Sequence, residues 1–121
     1  MTDSESVSDG QMLSVTLDWH GAVAVLTLVG EVDVVTVPRF EEKLSSALDE
    51  RPAALVVNLE KVEFFASTGL SALVAAQQRA SEDTAVRVVA TNRAVLRPLE
   101  ATGLDGTVPM YHSMDSALGE Q

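Results

Sequence analysis

The chain has 121 residues and a mass of 12.8 kDa, which is the size of one compact domain. Hydrophobic residues make up 46% of it, but only 4% are aromatic, so a core of ordinary size must be built from Val, Leu and Ala. Eighteen acidic against eight basic residues give a net charge of −10, which disfavours nucleic acid and anionic membranes as partners because both are bound by clustered Lys and Arg.

The amino terminus is polar and acidic. Residues 1–11 contain acids but neither a basic residue nor an apolar stretch, so they predict a flexible tail and no secretory signal. The longest apolar run, residues 22–29, is much shorter than the roughly 20 residues that a membrane-spanning helix needs. We therefore expect a soluble, cytoplasmic protein with one folded domain over residues 12–119.

From residue 13 the pattern predicts a β-hairpin followed by alternating helices and strands. Apolar and polar residues alternate over 13–18, Gly21 permits a tight turn, and Ala22–Val29 is a second strand. Next come a helix that Thr36 can cap and that has Pro38 in its first turn, a strand at Ala54–Leu59, a loop at 60–66 and a helix from Ser67 or Thr68. A strand at Ala85–Ala90 follows, and then a helix capped by Asn92, with an irregularity at Pro98 and an end at Gly103. The chain closes with a short strand at Thr107–Tyr111 and a helix capped by Ser113, with Met114, Ala117 and Leu118 facing inward. This order predicts an α/β domain with a mixed β-sheet of about five strands and about four helices.

Patterns typical of catalytic or metal sites are scarce. The chain has no cysteine, and His20 and His112 each fall in a predicted turn without clustered carboxylates, so we expect no metal site. Ser67 lies between a strand and a helix, as a nucleophile would, but Phe65 stands where a nucleophile elbow needs glycine. We therefore predict a protein that is not an enzyme and needs no cofactor.

The segment Val62–Leu70 is the most informative part of the sequence. Two hydroxyls, Ser67 and Thr68, open a predicted helix directly after a strand. In the simpler interpretation, which the pattern alone favours, Ser67 is only a helix cap and Gly69 only allows close packing. In the functional interpretation, a phosphate on Ser67 adds about two negative charges beside the free amides of the helix and repels an acidic partner face.

Three stretches of the chain match a known family in the right order. They are Leu28-Val29-Gly30-Glu31-Val32-Asp33, then Val56-Val57-Asn58-Leu59 with Phe64-Phe65-Ala66-Ser67-Thr68-Gly69-Leu70, and then Leu96–Leu104 with its Thr102-Gly103-Leu104 turn. On these motifs the chain resembles the stand-alone STAS domain family, the anti-sigma-factor antagonists of bacterial partner-switching systems. The resemblance runs from Leu13 to Leu118.

The resemblance implies a regulatory role. In that family the unphosphorylated domain binds an anti-sigma factor with serine-kinase activity and so releases a sigma factor; phosphorylation of a serine weakens the complex, and a serine phosphatase reverses it. Ser67 matches the acceptor position, with Thr68 as the fallback acceptor. The implied partner-binding residues are Gly30, Glu31, Asp33, Thr36, Ala66, Ser67, Thr68 and Gly69, and ATP and magnesium belong to the kinase.

The sequence departs from the family pattern at two positions. Ala66 and Asn58 stand where the family commonly has aspartate. We expect both changes to remove negative charge near Ser67, which favours a phosphate there but also deletes a contact for the kinase. We further expect the helix that starts near Thr36 to contribute partner contacts, since Val37 and Phe40 at its start lie close to the Gly30–Asp33 loop; the same two residues begin the apolar stripe of that helix, with Leu44 and Ala47–Leu48.

Two other functions stay open. The chain is alternatively a constitutive STAS subunit of another complex, such as a phospholipid-transport ATPase assembly, in which Ser67 is not phosphorylated. The least favoured alternative is a small hydrolase or phosphotransferase with Ser67 as its nucleophile. Labelling of Ser67 by an activated acyl or phosphonate probe is the observation that this last reading requires.

Overall fold

A computed structural model describes residues 13–80 and 82–119. The elements, in chain order, are β1 (Leu13–His20), β2 (Val23–Val32), α1 (Val37–Asp49), β3 (Ala54–Phe65), α2 (Ser67–Arg79), β4 (Ala85–Val89), α3 (Arg93–Thr102), a 3₁₀ turn (Leu104–Gly106), β5 (Met110–Tyr111) and α4 (Met114–Gly119). The predicted tail, residues 1–11, lies outside the described residues.

The strands form one mixed sheet in the order β1-β2-β3-β4-β5. β1 pairs with β2 in antiparallel fashion, and the other neighbours are parallel. The predicted α/β fold, with a mixed five-stranded sheet and four helices, is confirmed. Because parallel strands end on the same side of a sheet, the segments that follow β2 and β3 meet at one edge, which we call the carboxyl edge.

The main core lies between one face of the sheet and helices α1, α2 and α3. Every second residue of the central strands points into this core, as expected for a sheet with one face packed on helices. Its largest fully buried side chains are Phe40, Leu26, Leu28, Leu55, Leu59, Leu73 and Leu99. Among the described residues, no helix is both long and apolar enough to cross a membrane.

A smaller cluster lies on the opposite face of the sheet, under α4. Ala117 is buried in this cluster, and Met114 and Leu118 pack at its side, so the predicted inward face of the last helix is confirmed. The buried Arg87 of β4 donates from Nη1 to the carbonyl oxygen of Ala117, at 2.8 Å. A cation at a helix carboxyl end is favourable, so Arg87 fastens α4 to the sheet.

The two central strands are longer than the sequence predicts. β3 continues to Phe65, so the prediction of a loop over residues 60–66 is wrong for most of its length. β2 continues to Val32 and includes Gly30 and Glu31. The pairing between these strands passes through two shifts of register, which interrupt the strict alternation by which a sequence signals a strand.

The third helix follows its sequence signals closely. The Asn92 side chain accepts a hydrogen bond from the amide of Val95, at 3.1 Å, and Gly103 ends the helix with a φ of +78°. Both the predicted cap and the predicted end are therefore confirmed. The helix continues past Pro98 to Thr102, where we expected a short or irregular element.

Candidate functional site

The carboxyl edge brings two segments of the predicted site side by side. Val32, the last residue of β2, pairs with Phe65, the last residue of β3. The amide of Ala66 also donates a hydrogen bond to the carbonyl oxygen of Val32, at 2.9 Å. The segments that begin at Asp33 and at Ser67 therefore leave the sheet from neighbouring points.

Asp33 organises the turn between β2 and α1. Its Oδ1 accepts hydrogen bonds from the amides of Val35, at 2.9 Å, and Thr36, at 3.0 Å. Its carbonyl oxygen accepts the amide of Val37, at 2.8 Å. We call residues 33–36 the β2–α1 turn. The carboxylate satisfies amides that would otherwise have no partner, so the turn has one preferred conformation.

Thr36 closes the same turn from the other side. Its Oγ1 accepts the amide of Asp33, at 2.9 Å, and donates to the carbonyl oxygen of Glu31, at 2.8 Å. We predicted that the Thr36 side chain caps α1; it occupies the cap position but accepts no amide of the helix, so that prediction is wrong. Because Thr36 is buried, it supports the turn and does not itself offer a contact surface.

The exposed apolar residues of this turn differ from those predicted. Val37 and Phe40 are buried against the sheet, so any contact of α1 with a partner is made by other residues of the helix. Val34 and Val35 are instead 73% and 79% exposed. The helical spacing of Val37, Phe40 and Leu44 predicts that these residues form the inner face of α1, and the structure confirms it. Val34 and Val35 precede the helix, so periodicity says nothing of them, and the Asp33 turn places them outside the core.

The start of α2 has no side-chain cap. Ala66 occupies the cap position with an extended backbone, and the first turn of the helix contains no acidic residue. The carbonyl oxygen of Ala66 accepts the amides of Gly69, at 2.9 Å, and Leu70, at 3.3 Å. The interpretation of Ser67 as the N-cap is therefore wrong: Ser67 is the first helical residue, and its side chain is exposed.

The two hydroxyls of α2 differ in accessibility. Ser67 faces solvent, whereas the hydroxyl oxygen of Thr68 is buried and has no hydrogen-bond partner among the described residues. Of the two hydroxyls, that of Ser67 is therefore the more accessible to solvent.

Gly69 allows α2 to lie very close to the ends of β2 and β3. A Cβ atom at this position would lie 2.9 Å from two ring carbons of Phe65 and 2.9 Å from Cγ1 of Val32. Phe65 and Val32 are both buried and have little room to move. The prediction that Gly69 serves close packing is confirmed, and this packing fixes the position of Ser67 above the strand ends.

Asn58 lies too far from Ser67 to affect its charge environment. It pairs with Thr27, five residues before Val32 on β2, which places it about 17 Å from the carboxyl edge at a rise of about 3.3 Å per residue. Charges this far apart are largely screened at a Debye length of about 8 Å. Of the two departures from the family pattern, only Ala66 lowers negative charge beside Ser67; for Asn58 that expectation is wrong.

Neither histidine is placed to activate Ser67. His20 ends β1 at the hairpin, at the end of the sheet opposite the carboxyl edge. His112 follows β5, and β4 lies between β5 and β3. Two strand spacings therefore put the end of β5 about 10 Å from β3, the strand that leads to Ser67. Neither imidazole is therefore placed to act as a general base for Ser67. Among the described residues, no group of three or more metal-ligating His, Asp or Glu side chains is found.

Comparisons with known proteins show which family and which solved structures this chain is similar to. A family model described as STAS domain matches residues 14–117. The anti-sigma-F factor antagonist RsfB of Mycobacterium tuberculosis is 35% identical over 106 residues, which are 88% of this chain and 87% of RsfB. A crystal structure of an anti-sigma factor antagonist from Mycobacterium paratuberculosis is 36% identical with a TM-score of 0.88, over 93% of this chain and 97% of that one.

A more distant likeness concerns the fold alone. The Bacillus cell fate determinant SpoIIAA, in its phosphorylated form, is 17% identical with a TM-score of 0.64, over 88% of this chain and 97% of that one. Its structure shows that the same arrangement of strands and helices occurs at low sequence identity.

Proposed function

The chain belongs to the STAS domain family, and we propose that it is an anti-sigma factor antagonist, which binds an anti-sigma factor and so frees a sigma factor. The similarity to RsfB supports this, because it covers 88% of the chain. We also propose that the anti-sigma factor is a serine kinase and that phosphorylation of Ser67 ends the complex. The observation that carries this second part is the exposed and uncapped position of Ser67 at the start of α2.

The chemistry needed at Ser67 comes from the partner. The kinase transfers the γ-phosphoryl group of ATP to the Oγ atom, which gives phosphoserine and ADP and releases the hydroxyl proton. A kinase supplies its own base and magnesium, so the acceptor needs only to be reachable and correctly presented. The exposure of Ser67 supports the first condition, and the close packing of the helix at Gly69 supports the second.

A phosphate on Ser67 is compatible with an intact α2. It adds about two negative charges at a helix start, where amides and the helix dipole favour an anion. No acidic side chain in the first turn of α2 competes for that position. We therefore expect modification to leave the fold in place and to weaken binding by placing the new charge against the nucleotide phosphates of the kinase.

One observation favours a second candidate function. Ala66 replaces the aspartate that commonly precedes the acceptor in the family, and a kinase that recognises that aspartate would not recognise this chain. The chain would then be a constitutive STAS subunit, for example of a phospholipid-transport ATPase assembly. Co-purification of a stable ATPase with a chain that never carries phosphate would support this alternative.

The test compares a charge at Ser67 with the same charge at an exposed serine far from the carboxyl edge. The probe is the purified anti-sigma-F factor of Mycobacterium tuberculosis, together with its homologues from the organism of origin. We expect Ser67→Ala to bind like the unmodified chain and to stay bound when ATP and magnesium are added, and we expect Ser67→Asp to bind at least about tenfold more weakly.

The matched control is Ser46→Asp, which adds the same charge to an exposed serine in the last turn of α1, far from the carboxyl edge. It should leave the affinity within about twofold of the unmodified chain, because rim charges away from the contact change affinity little. Equal binding by Ser67→Ala, Ser67→Asp and the unmodified chain, with or without ATP, would contradict the switch.

A further inference from the structure

Two adjacent valines protrude from the β2–α1 turn. Val34 and Val35 are 73% and 79% exposed, more than any other large apolar side chain of the described residues. Exposed apolar side chains that lie together commonly mark a binding surface. We propose that Val34 and Val35 form a hydrophobic anchor that enters an apolar pocket with a basic rim on the anti-sigma factor. This proposal rests on the proposed function.

The turn holds both valines in place before any partner binds. The Asp33 carboxylate accepts the amide of Val35, and the Thr36 hydroxyl bridges the amide of Asp33 and the carbonyl oxygen of Glu31. A segment that is already ordered loses little conformational entropy on binding. The apolar surface of the valines therefore contributes to affinity without a large ordering cost.

The anchor is continuous with the start of α2. The turn begins directly after Val32, and Val32 is joined to the α2 segment through the hydrogen bond from the amide of Ala66. A partner that reaches Ser67 thus meets the valine pair on the same edge of the domain. The anchor and the acceptor are nevertheless different residues on different segments, so their contributions to binding are separable.

The charges around the anchor define the chemistry of its partner. Glu31 and Asp33 precede the valines, and the second turn of α1 carries the exposed acids Glu41 and Glu42 beside one exposed base, Lys43. The nearby Arg39 has its guanidinium engaged by the carbonyl oxygen of Leu13, at 2.6 Å. In a chain with a net charge of −10, this surround fits a pocket that is aliphatic inside and carries Lys or Arg at its rim.

The separation of anchor and acceptor predicts a division between binding and chemistry. Loss of the anchor weakens the complex and raises the KM for phosphorylation of Ser67. The kcat is expected to stay the same, because the anchor does not touch the reacting oxygen. A residue with a merely structural role would lower stability and would not produce this split.

The test is a double variant, Val34→Thr with Val35→Thr, with the purified Mycobacterium tuberculosis anti-sigma-F factor and its homologues from the organism of origin as probes. Threonine keeps the branched shape and replaces one methyl group by a hydroxyl. We expect an affinity about tenfold lower than that of the unmodified chain. The matched control is Val29→Thr, the same change at an exposed valine within β2, for which we expect a change of less than about twofold.

A second double variant, Val34→Ile with Val35→Ile, keeps both positions apolar and should bind as well as the unmodified chain. It shows whether a loss in the threonine variant comes from polarity or from a disturbed turn, and urea unfolding checks the stability of both. If the unmodified chain binds none of these anti-sigma factors, the proposed function and the anchor both fail. If it binds and the threonine variant binds equally well, the anchor alone is overturned.

Discussion

The starts of α1 and α2 lie next to each other but are built in opposite ways. Before α1, the Asp33 carboxylate and the Thr36 hydroxyl satisfy the free polar groups of the turn. Before α2, Ala66 offers only its backbone, which accepts two amides of the helix and donates to the end of β2. One start is fixed by side-chain hydrogen bonds, and the other by backbone contacts and close packing.

This difference assigns a separate role to each start. The α1 start is held by several side-chain hydrogen bonds, which favour one conformation of the turn that carries Val34 and Val35. The first turn of α2 contains no acidic residue, so an added anion meets no competitor within its own turn. In the proposed function, the first start is the contact surface and the second carries the phosphate, so binding and its regulation fall to neighbouring but separate segments.

The largest effect is expected from a substitution that disturbs the close packing at the start of α2. In Gly69→Ala the new Cβ meets the buried Phe65 ring and Val32, so we expect the free energy of unfolding to fall by about 1–3 kcal/mol. Urea unfolding followed by the fluorescence of Trp19 measures this free energy. Trp19 lies in β1, far from residue 69, so the substitution does not alter the probe directly. Gly106→Ala is the control, because nothing lies within 4 Å of its added Cβ. Equal stability of the two variants would contradict the packing argument.

The next effect concerns the hydrogen-bonded start of α1. Asp33→Ala removes an acceptor used by the amides of Val35 and Thr36, and we expect a loss of about 1–2 kcal/mol in unfolding free energy. Asp33→Asn retains an oxygen in the same place and should lose less than half as much. A fully stable Asp33→Ala variant in the same urea titration would show that the carboxylate does not hold the turn.

The smallest effect is expected for Ala66→Asp, which gives the start of α2 a carboxylate like the one that Asp33 provides before α1. Ala66 already has the extended backbone of a helix cap, so Ala66→Asp should raise the unfolding free energy by about 0.5–1 kcal/mol. Ala66→Asn tests the cap without the charge, and the difference between the two should shrink as salt is added. A less stable Ala66→Asp variant would mean that the amides of the first turn are not open to an anion.

The order of strands and helices follows from local patterns, because each pattern reports on one element at a time. The helix start at Ser67 and the cap at Asn92 are examples, since a hydroxyl or amide side chain after an apolar strand is a local signal. The ends of β2 and β3 are not local. Their last residues pair across two register shifts, and only the tertiary contact between the strands keeps the segment before Ser67 extended.

The site shows the same limit. Asp33 and Ser67 are identifiable from family motifs, but their proximity depends on the pairing of Val32 with Phe65. The exposure of Val34 is likewise invisible in composition, because it depends on hydrogen bonds made by Asp33 with its own turn. Sequence patterns identify residues able to act, and the fold decides which of them reach the surface.

The proposed function requires that Ser67, at the start of α2, is phosphorylated beside a β2–α1 turn that stays unchanged. The most direct test of this requirement is the phosphorylation state of the natural protein. Protein recovered from its own cells, in growth and after stress, would be analysed by intact and peptide-level mass spectrometry across residues 62–79. We predict phosphate on Ser67 with an occupancy that changes between conditions, and none on Thr68, whose hydroxyl oxygen is buried. A Ser67 that is unmodified in every condition, or phosphate found only on Thr68, would contradict the account.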